Sequence, residues 1–534
     1  MNGSLTLGWL DGSILVLYVV VLASIGTWAA RRTAKTTEDY FLASRSIPWF
    51  ITAMSFAATC ISALTFVGTP AEGFSADYRY LLGNLGDILA TVFVAFVFLP
   101  HFQKFKVTSI YEVIARRFGQ SARTTCAGYF ILTRTLAATV RIVAIAKVLE
   151  VVSGGSISYA HCVVIVVLII LSYTTIGGGR AIAWTDSLQF VLLVTGAVAG
   201  LAYIVHHVPG GVRGIIAAGE HAVKPDGTVY NKFNFLEMYK PSNLGLLALM
   251  SVWAFFNSTA AYGTDQDMVQ RLLACRDQKK ARWSLVGWGL ASIPITFLFL
   301  SIGVALYAYS LSHPALIAGM KDNDFVFPRF ILTSMPHGLR GLLFAAVASA
   351  AMGSADSALA SLSTAFVIDF YKPFKGGRVS EEHCVRVSRI SFVVFGLLFM
   401  FFGLTMHRLD RLLWLAFRLI AFTYGPLLGI FAVAIMTDWE VPERRIVPLM
   451  LVLTAGIFAS AMYAWHVYLT LPSFATPEAS TAFFAAHRAL AFWKAVHTDY
   501  WRLDVVFGSL LMVLGAFLMR VRGSGGADGA ALPA

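Results

Sequence analysis

The feature that most constrains this chain is a succession of apolar stretches, many of them about 18 residues or longer, separated by short polar segments. A water-soluble core has no use for so many runs of helix-spanning length. A bilayer does, because hydrocarbon offers no partner to backbone N–H and C=O groups and each span must satisfy its own. The stretches carry no strict alternation, so the expected class is an all-α polytopic membrane protein. Composition agrees: 57% of residues are apolar and 13% charged, against about 25% charged in soluble domains. A soluble enzyme and a disordered chain are both excluded. The 534 residues therefore read as one integral membrane domain rather than several soluble ones. A net charge of +12 would ordinarily raise the question of nucleic acid, but basic residues in membrane proteins collect in cytoplasmic loops, and no nucleic-acid partner is expected. The five cysteines, Cys60, Cys126, Cys162, Cys275 and Cys384, suit neither a disulfide framework nor a metal knuckle.

The run from about 13 to 30 lacks the basic leader of a signal peptide and is followed at once by Arg31, Arg32 and Lys35, so it reads as a retained helix with its N-terminus outside. Further helices are expected near 47–74, 80–101, 124–150, 158–176, 182–205, 243–263, 283–310, 337–366, 388–407, 411–436, 446–469 and 499–520, about thirteen spans in all. The C-terminus then lies inside. Loops carrying Lys104, Lys106, Arg116 and Arg117, then Arg276, Lys279, Lys280 and Arg282, then Lys372, Lys375, Arg378 and Arg386 face the cytoplasm, joined by Arg520 and Arg522. They hold roughly twice the basic residues of the opposite side, as the positive-inside rule requires. The polar loops at about 206–242 and 470–498 lie outside, without a folded domain in either, and the Gly/Ala-rich stretch 523–534 reads as a disordered tail.

Three spans are poor as simple lipid-facing helices. SFAATCISALTFVGTP (55–70) mixes hydroxyl and small residues and ends in Pro, and NSTAAYGTD (257–265) repeats that character five helices later. Loosened backbone survives in a bilayer only where it lines a cavity or binds an ion. Matched interruptions in two halves point to a five-plus-five inverted repeat with its site at the midplane. Small residues that merely let helices pack are the plainer reading of either segment alone. The third, AAVASAAMGSADSALASLST (345–364), carries Asp356 among serines, and a carboxylate at that depth is costly unless paired, hydrated or ion-bound.

Seven strings then occur in order: YFLASRSIPW (40–49), ATCISALTFVGTPAE (58–72), TSIYEVIARRFG (108–119), GGGRAIAWTDSLQ (177–189), GTDQDMVQRLLACRD (263–277), SADSALASLSTAFVIDFYKP (354–373) and TYGPLLG (423–429). Together they resemble the sodium/solute symporter family, whose members include bacterial sugar, proline, pantothenate and sialic acid carriers. The resemblance implies a single transport domain over 1–522 with a leucine-transporter-like core at about 47–436, the extra helix at about 13–30 before it and two helices at about 446–520 after it. It implies a multi-pass protein of the cell's inner (plasma) membrane, with sodium as its ion and a small solute and the lipid bilayer as its partners. Sodium is a hard cation that takes oxygen ligands. The family's sodium site maps onto the backbone carbonyls of Ala58, Ile61 and Ala350 and onto positions 353 and 354. Ser354 keeps the family hydroxyl, whereas Gly353 does not. That departure leaves proton coupling open. A second cation held by some members maps onto Asp186, Asp356 and Ser357. Two neighbouring carboxylates repel and share a proton unless a cation stands between them, so an ion site and a proton-sensitive switch both fit, as does a local role for Asp186 with Thr185 and Arg180 at its helix end.

For the solute, the resemblance implies contacts from Thr65 and Asn84 and an inner aromatic gate at Tyr262. Arg134 and Arg141 stand seven residues apart, nearly two helical turns, and share one helix face. An arginine at membrane depth calls for a carboxylate, from the protein or from the solute, and Arg141, deeper in its span, is the first candidate for an anionic solute. Gly177-Gly178-Gly179 lacks the context of a phosphate loop and reads as a tight turn. The expectation is a sodium-coupled symporter that imports a small organic solute by alternating access, with a carboxylate such as a sialic acid or a monocarboxylate in view. A sodium- or proton-coupled sugar carrier is the alternative, and an intramembrane enzyme or receptor the alternative from another class.

Overall fold

A computed structural model of the chain describes residues 8–30, 34–153, 155–223, 227–233, 244–320, 322–406, 412–470 and 503–520. The expected tail at 523–534 and nearly all of the loop at 470–498 lie outside these residues. The principal helices are α1 (Trp9–Ala30), α2 (Trp49–Cys60), α3 (Ala63–Ser75), α4 (Leu82–Phe93), α5 (Gln120–Val152), α6 (Tyr159–His207), α7 (Leu244–Thr264), α8 (Gln266–Leu273), α9 (Gln278–Ser312), α10 (Leu339–Ala365), α11 (Glu381–Thr405), α12 (Leu412–Met436), α13 (Glu443–Thr470) and α14 (Asp504–Met519). Among the described residues nine helices are long and apolar enough to cross a membrane, or ten if α2 and α3 make one bent span.

Helix α10 is the central post. Its most apolar window is 89% buried, against 11% for the outlying α13. Ala, Gly and Ser dominate its sequence, and small side chains let α6, α5 and α1 pack closely around it. Buried Asp11 of α1 supplies what the start of α10 lacks: its Oδ1 accepts the Gly338 and Gly341 amides at 2.8 and 2.9 Å, and its Oδ2 the His337 ring nitrogen at 2.6 Å. The two amides are otherwise orphaned donors of a helix N-terminus. Outward positions carry Trp28, Leu132, Leu168, Phe297, Ile390, Phe401, Phe458 and Leu511, an exposed apolar belt unsuited to water.

The glycine string lies inside α6, which is kinked at Gly178, where φ is +56° and ψ −157°. This is a turn that only glycine adopts readily. Side chains at Gly178 and Gly179 would also run into the carbonyls of Tyr40 and Phe41, so the string is a packed corner.

The loop expected at 206–242 has more structure than its polarity suggested. It holds a helix, Gly211–Glu220, and an antiparallel pair of strands, Ala222–Val223 and Val229–Tyr230. Lys232 then buries its ammonium on the end of α3, donating to the carbonyls of Gly73, Phe74 and Ala76 at 3.2, 2.8 and 2.7 Å. A cation there satisfies orphaned carbonyls and the negative end of the helix dipole.

Candidate functional site

Two helical runs are interrupted at matching places. Helix α2 stops at Cys60, Ile61 and Ser62 take extended backbone with ψ of 93° and 174°, and α3 leaves at 56° to α2. Five spans later α7 stops at Thr264, Asp265 is extended (φ −97°, ψ 117°), and its carboxylate accepts the Asp267 amide to cap α8. Among the described residues no backbone hydrogen bond reaches the carbonyls of Ala58 or Ile61, the exposed acceptors that a helix end leaves behind.

A cavity of about 230 Å³ opens beside the first break. All four solute contacts expected from the sequence, Thr65, Asn84, Arg141 and Tyr262, line it, with Asp87, Asn257 and Ser258 adding polar groups and Trp253, Trp288 and Phe417 aromatic walls. Asn84 and Asp87 reach it because Gly86 lets α4 press on α7; a Cβ at Gly86 would strike the Ser251 carbonyl. Tyr262 is fixed in place: its hydroxyl donates to Asp87 Oδ1 at 2.8 Å and accepts from Trp288 Nε1 at 2.9 Å, and its ring lies 5.6 Å from that of Phe56.

The two arginines of α5 have different surroundings. Arg134 is 3.4 Å from Asp265 Oδ2 and is also ion-paired with Asp267, while Tyr424 donates to the same Asp265 oxygen at 2.7 Å. It pins the second break. Arg141 has no ion pair among the described residues, and its buried Nε and Nη1 have no hydrogen-bond partner there. It lines the cavity.

On the other side of α2 lies a second polar region. Ala350, Gly353 and Ser354 of α10 are buried, and Ser354 Oγ donates to the carbonyls of Ala350 and Ala351 at 3.2 and 3.0 Å. Helix α2 meets this face where Thr59 Oγ1 stands 3.2 Å from Ser357 Oγ. Asp356 is saturated locally: Oδ2 accepts the Tyr173 hydroxyl at 2.8 Å and Oδ1 the Ser357 amide at 2.6 Å. Asp186 is half committed. Its Oδ2 accepts Ser55 Oγ at 2.7 Å and faces Arg271 Nη2 at 3.2 Å, whereas its Oδ1 has no donor. The local role at the helix end is not observed. Arg180 turns to Ser46 Oγ, and Thr185 bonds carbonyls of its own helix. Arg271, whose Nε also donates to Thr59 Oγ1 at 2.7 Å, is the member that sequence reasoning missed. The signal was available, since Arg271 is a cation within a quoted motif of an apolar chain.

The sodium:solute symporter family model matches residues 40–440. The sodium/sialic acid symporter of Proteus mirabilis (strain HI4320) is 28% identical over 430 residues, 80% of this chain and 85% of that one. Sodium-coupled monocarboxylate transporter 1 of Homo sapiens is 28% identical over 472 residues (86% and 74%), and the sodium/glucose cotransporter of Vibrio parahaemolyticus 27% over 405 (73% of each). In three dimensions the substrate-bound outward-open state of a Na⁺-coupled sialic acid symporter superposes with a TM-score of 0.78 at 24% identity, covering 96% of this chain and 97% of that one. A nucleobase-cation-symport-1 family transporter follows at 0.51 and 15% identity, covering 91% and 94%.

Proposed function

This chain belongs to the sodium:solute symporter family, whose members here are sodium-coupled transporters rather than enzymes, and on that premise we propose that it imports a carboxylate-bearing organic solute on a sodium gradient. The observation that carries the reading is Arg141, a cavity-lining guanidinium with buried donors and no protein partner among the described residues, two turns from an arginine that has two. A planar fork left open in a low-dielectric cavity is suited to a bidentate carboxylate. Thr65 and Asn84 would meet the rest of the solute, and Tyr262 would close the cavity from within. Two relatives are described by acidic solutes, sialic acid and monocarboxylates, which fits the same chemistry.

The carbonyls of Ala58, Ile61 and Ala350 and the Ser354 hydroxyl would hold the coupling sodium, with Asp186, and less directly Asp356 and Ser357, beside a second cation. The ion supplies the driving force: each charge moving inward gains about 2.3 kcal/mol per 100 mV. The chain would do this as about thirteen spans in the inner (plasma) membrane, the breaks related by a five-plus-five inverted repeat, the N-terminus outside and the C-terminus inside. Protein reconstituted into sealed vesicles should accumulate a labelled sialic acid or short monocarboxylate under an inward sodium gradient and fail to do so when potassium replaces sodium. Uptake that follows an imposed proton gradient instead would contradict the sodium assignment, and uptake of glucose alone would contradict the carboxylate.

A further inference from the structure

Two buried oxygens with no donor converge on one point of α10. Built on Gly353, a Cβ would stand 2.5 Å from Gln189 Oε1 and 3.3 Å from Asp186 Oδ1. Both residues are almost wholly buried, and neither oxygen has a hydrogen-bond partner. The rest of each group is engaged: Gln189 Nε2 reaches Tyr18 Oη at 3.3 Å, and Asp186 Oδ2 holds Ser55 and Arg271. An unsatisfied carboxylate oxygen in a dry site is costly, and a second lone-pair oxygen turned toward the same notch adds to that cost unless something positive lies between them. A protonated Asp356 does not bridge them, because hydrogen bonds hold both its oxygens elsewhere.

We infer that Gln189 is a sodium ligand, its amide oxygen joining Asp186 Oδ1 in the notch that the absence of a side chain at Gly353 leaves open. The inference rests on the sodium-coupled reading above and adds to it a residue that reading does not use. An oxygen pair of carboxylate and amide suits a hard monovalent cation. It also reverses what sequence alone suggests for position 353. A serine there brings a hydroxyl, but its Cβ evicts the Gln189 oxygen, so Gly353→Ser should weaken sodium binding rather than restore it. The competing arrangement is a rotated amide, with Gln189 donating its N–H to Asp186 and no ion between them.

The test is sodium-dependent thermal stabilisation of the purified full chain without solute, at fixed ionic strength with potassium as the replacement, together with equilibrium binding of radioactive sodium. Gln189→Met, which keeps length and apolar packing, should raise the half-saturating sodium concentration by about ten-fold or more, as losses at a metal's supporting groups do. Gly353→Ala should do the same. Gln189→Glu should be less stable than wild type in potassium and regain stability in sodium. Unchanged sodium dependence in Gln189→Met and Gly353→Ala would overturn the inference. So would a Gln189→Glu protein destabilised equally in both salts, the result a rotated amide predicts. A wild-type protein that does not distinguish sodium from potassium would overturn the sodium reading itself, a different failure visible before any variant is made.

Discussion

The cavity beside the first break and the polar region behind α2 are built alike. Each sets a charged group with protein partners beside one that is less engaged. In the cavity Arg134 is ion-paired with Asp265 and Asp267, whereas Arg141 has no ion pair among the described residues. Behind α2, Asp356 is closed off by Tyr173 and Ser357 while Asp186 keeps one oxygen open. Burying a charge is costly in either case, and the partnered member shows that this fold can meet the cost internally. On the proposed function, the open member would take a ligand of opposite charge, an anion in one region and a cation in the other. Charge at membrane depth is thus of two kinds, and residue type alone does not separate them.

The comparison breaks first at the partnered groups. Asp267→Asn should leave Arg134 underpaired and destabilise the protein by about 3–5 kcal/mol, the usual result of removing one partner of a buried pair, and detergent melting curves should show it. If Asp267→Asn melts like wild type, the second break is not pinned by this pair. Arg141→Gln should behave oppositely: melting near wild type, but an acidic solute bound about 2–5 kcal/mol more weakly by calorimetry. A misfolded variant, or one that binds normally, would return Arg141 to a structural role.

A smaller effect is expected at Ser354. Its hydroxyl donates into its own helix, so Ser354→Ala removes an oxygen from the ion side at little structural cost. Half-maximal transport should need more sodium, by a shift worth about 0.5–1.5 kcal/mol, while solute affinity at saturating sodium stays put. Identical sodium curves would take this serine out of the site.

A further effect, of pH, is expected far from both regions. Burial pushes the Lys232 ammonium down to about 8 from the ordinary lysine value near 10.4. Between these values the unfolded chain binds the extra proton, so stability contributed by this group should rise with pH across that window and be flat below it. Melting of wild type and Lys232→Met at pH 7.5 and about pH 10 should differ by that slope, and parallel shifts would show that the loop is not anchored there.

Much of this architecture was legible because hydropathy and punctuation act locally. The apolar runs marked every principal helix except the short α8, and Gly178 marked the corner in α6 because positive φ restricts residue choice. The cavity's lining was legible in part: Thr65, Asn84 and Tyr262, named from the resemblance, and Arg141, named for its depth in its span, come from four helices yet line one space. What sequence left hidden depends on partners far apart in the chain. Nothing local says that Arg134 meets Asp267 or that Arg271 meets Asp186. Nor does it say that the side chain missing at Gly353 makes room for Gln189. The fold of the 206–233 segment was hidden for a similar reason, since its polar surface concealed a lysine buried on a helix end 156 residues away.

The most direct test of the central claim is the affinity of the purified protein for a carboxylate solute, measured across sodium concentrations at constant ionic strength. If the open arginine and the open aspartate oxygen serve coupled ligands, solute should bind more tightly as sodium rises, and sodium should bind more tightly with solute by the same factor, since coupling between sites is reciprocal. Arg141→Gln should lose the solute while keeping sodium-dependent stabilisation. Solute affinity that is indifferent to sodium would contradict the account.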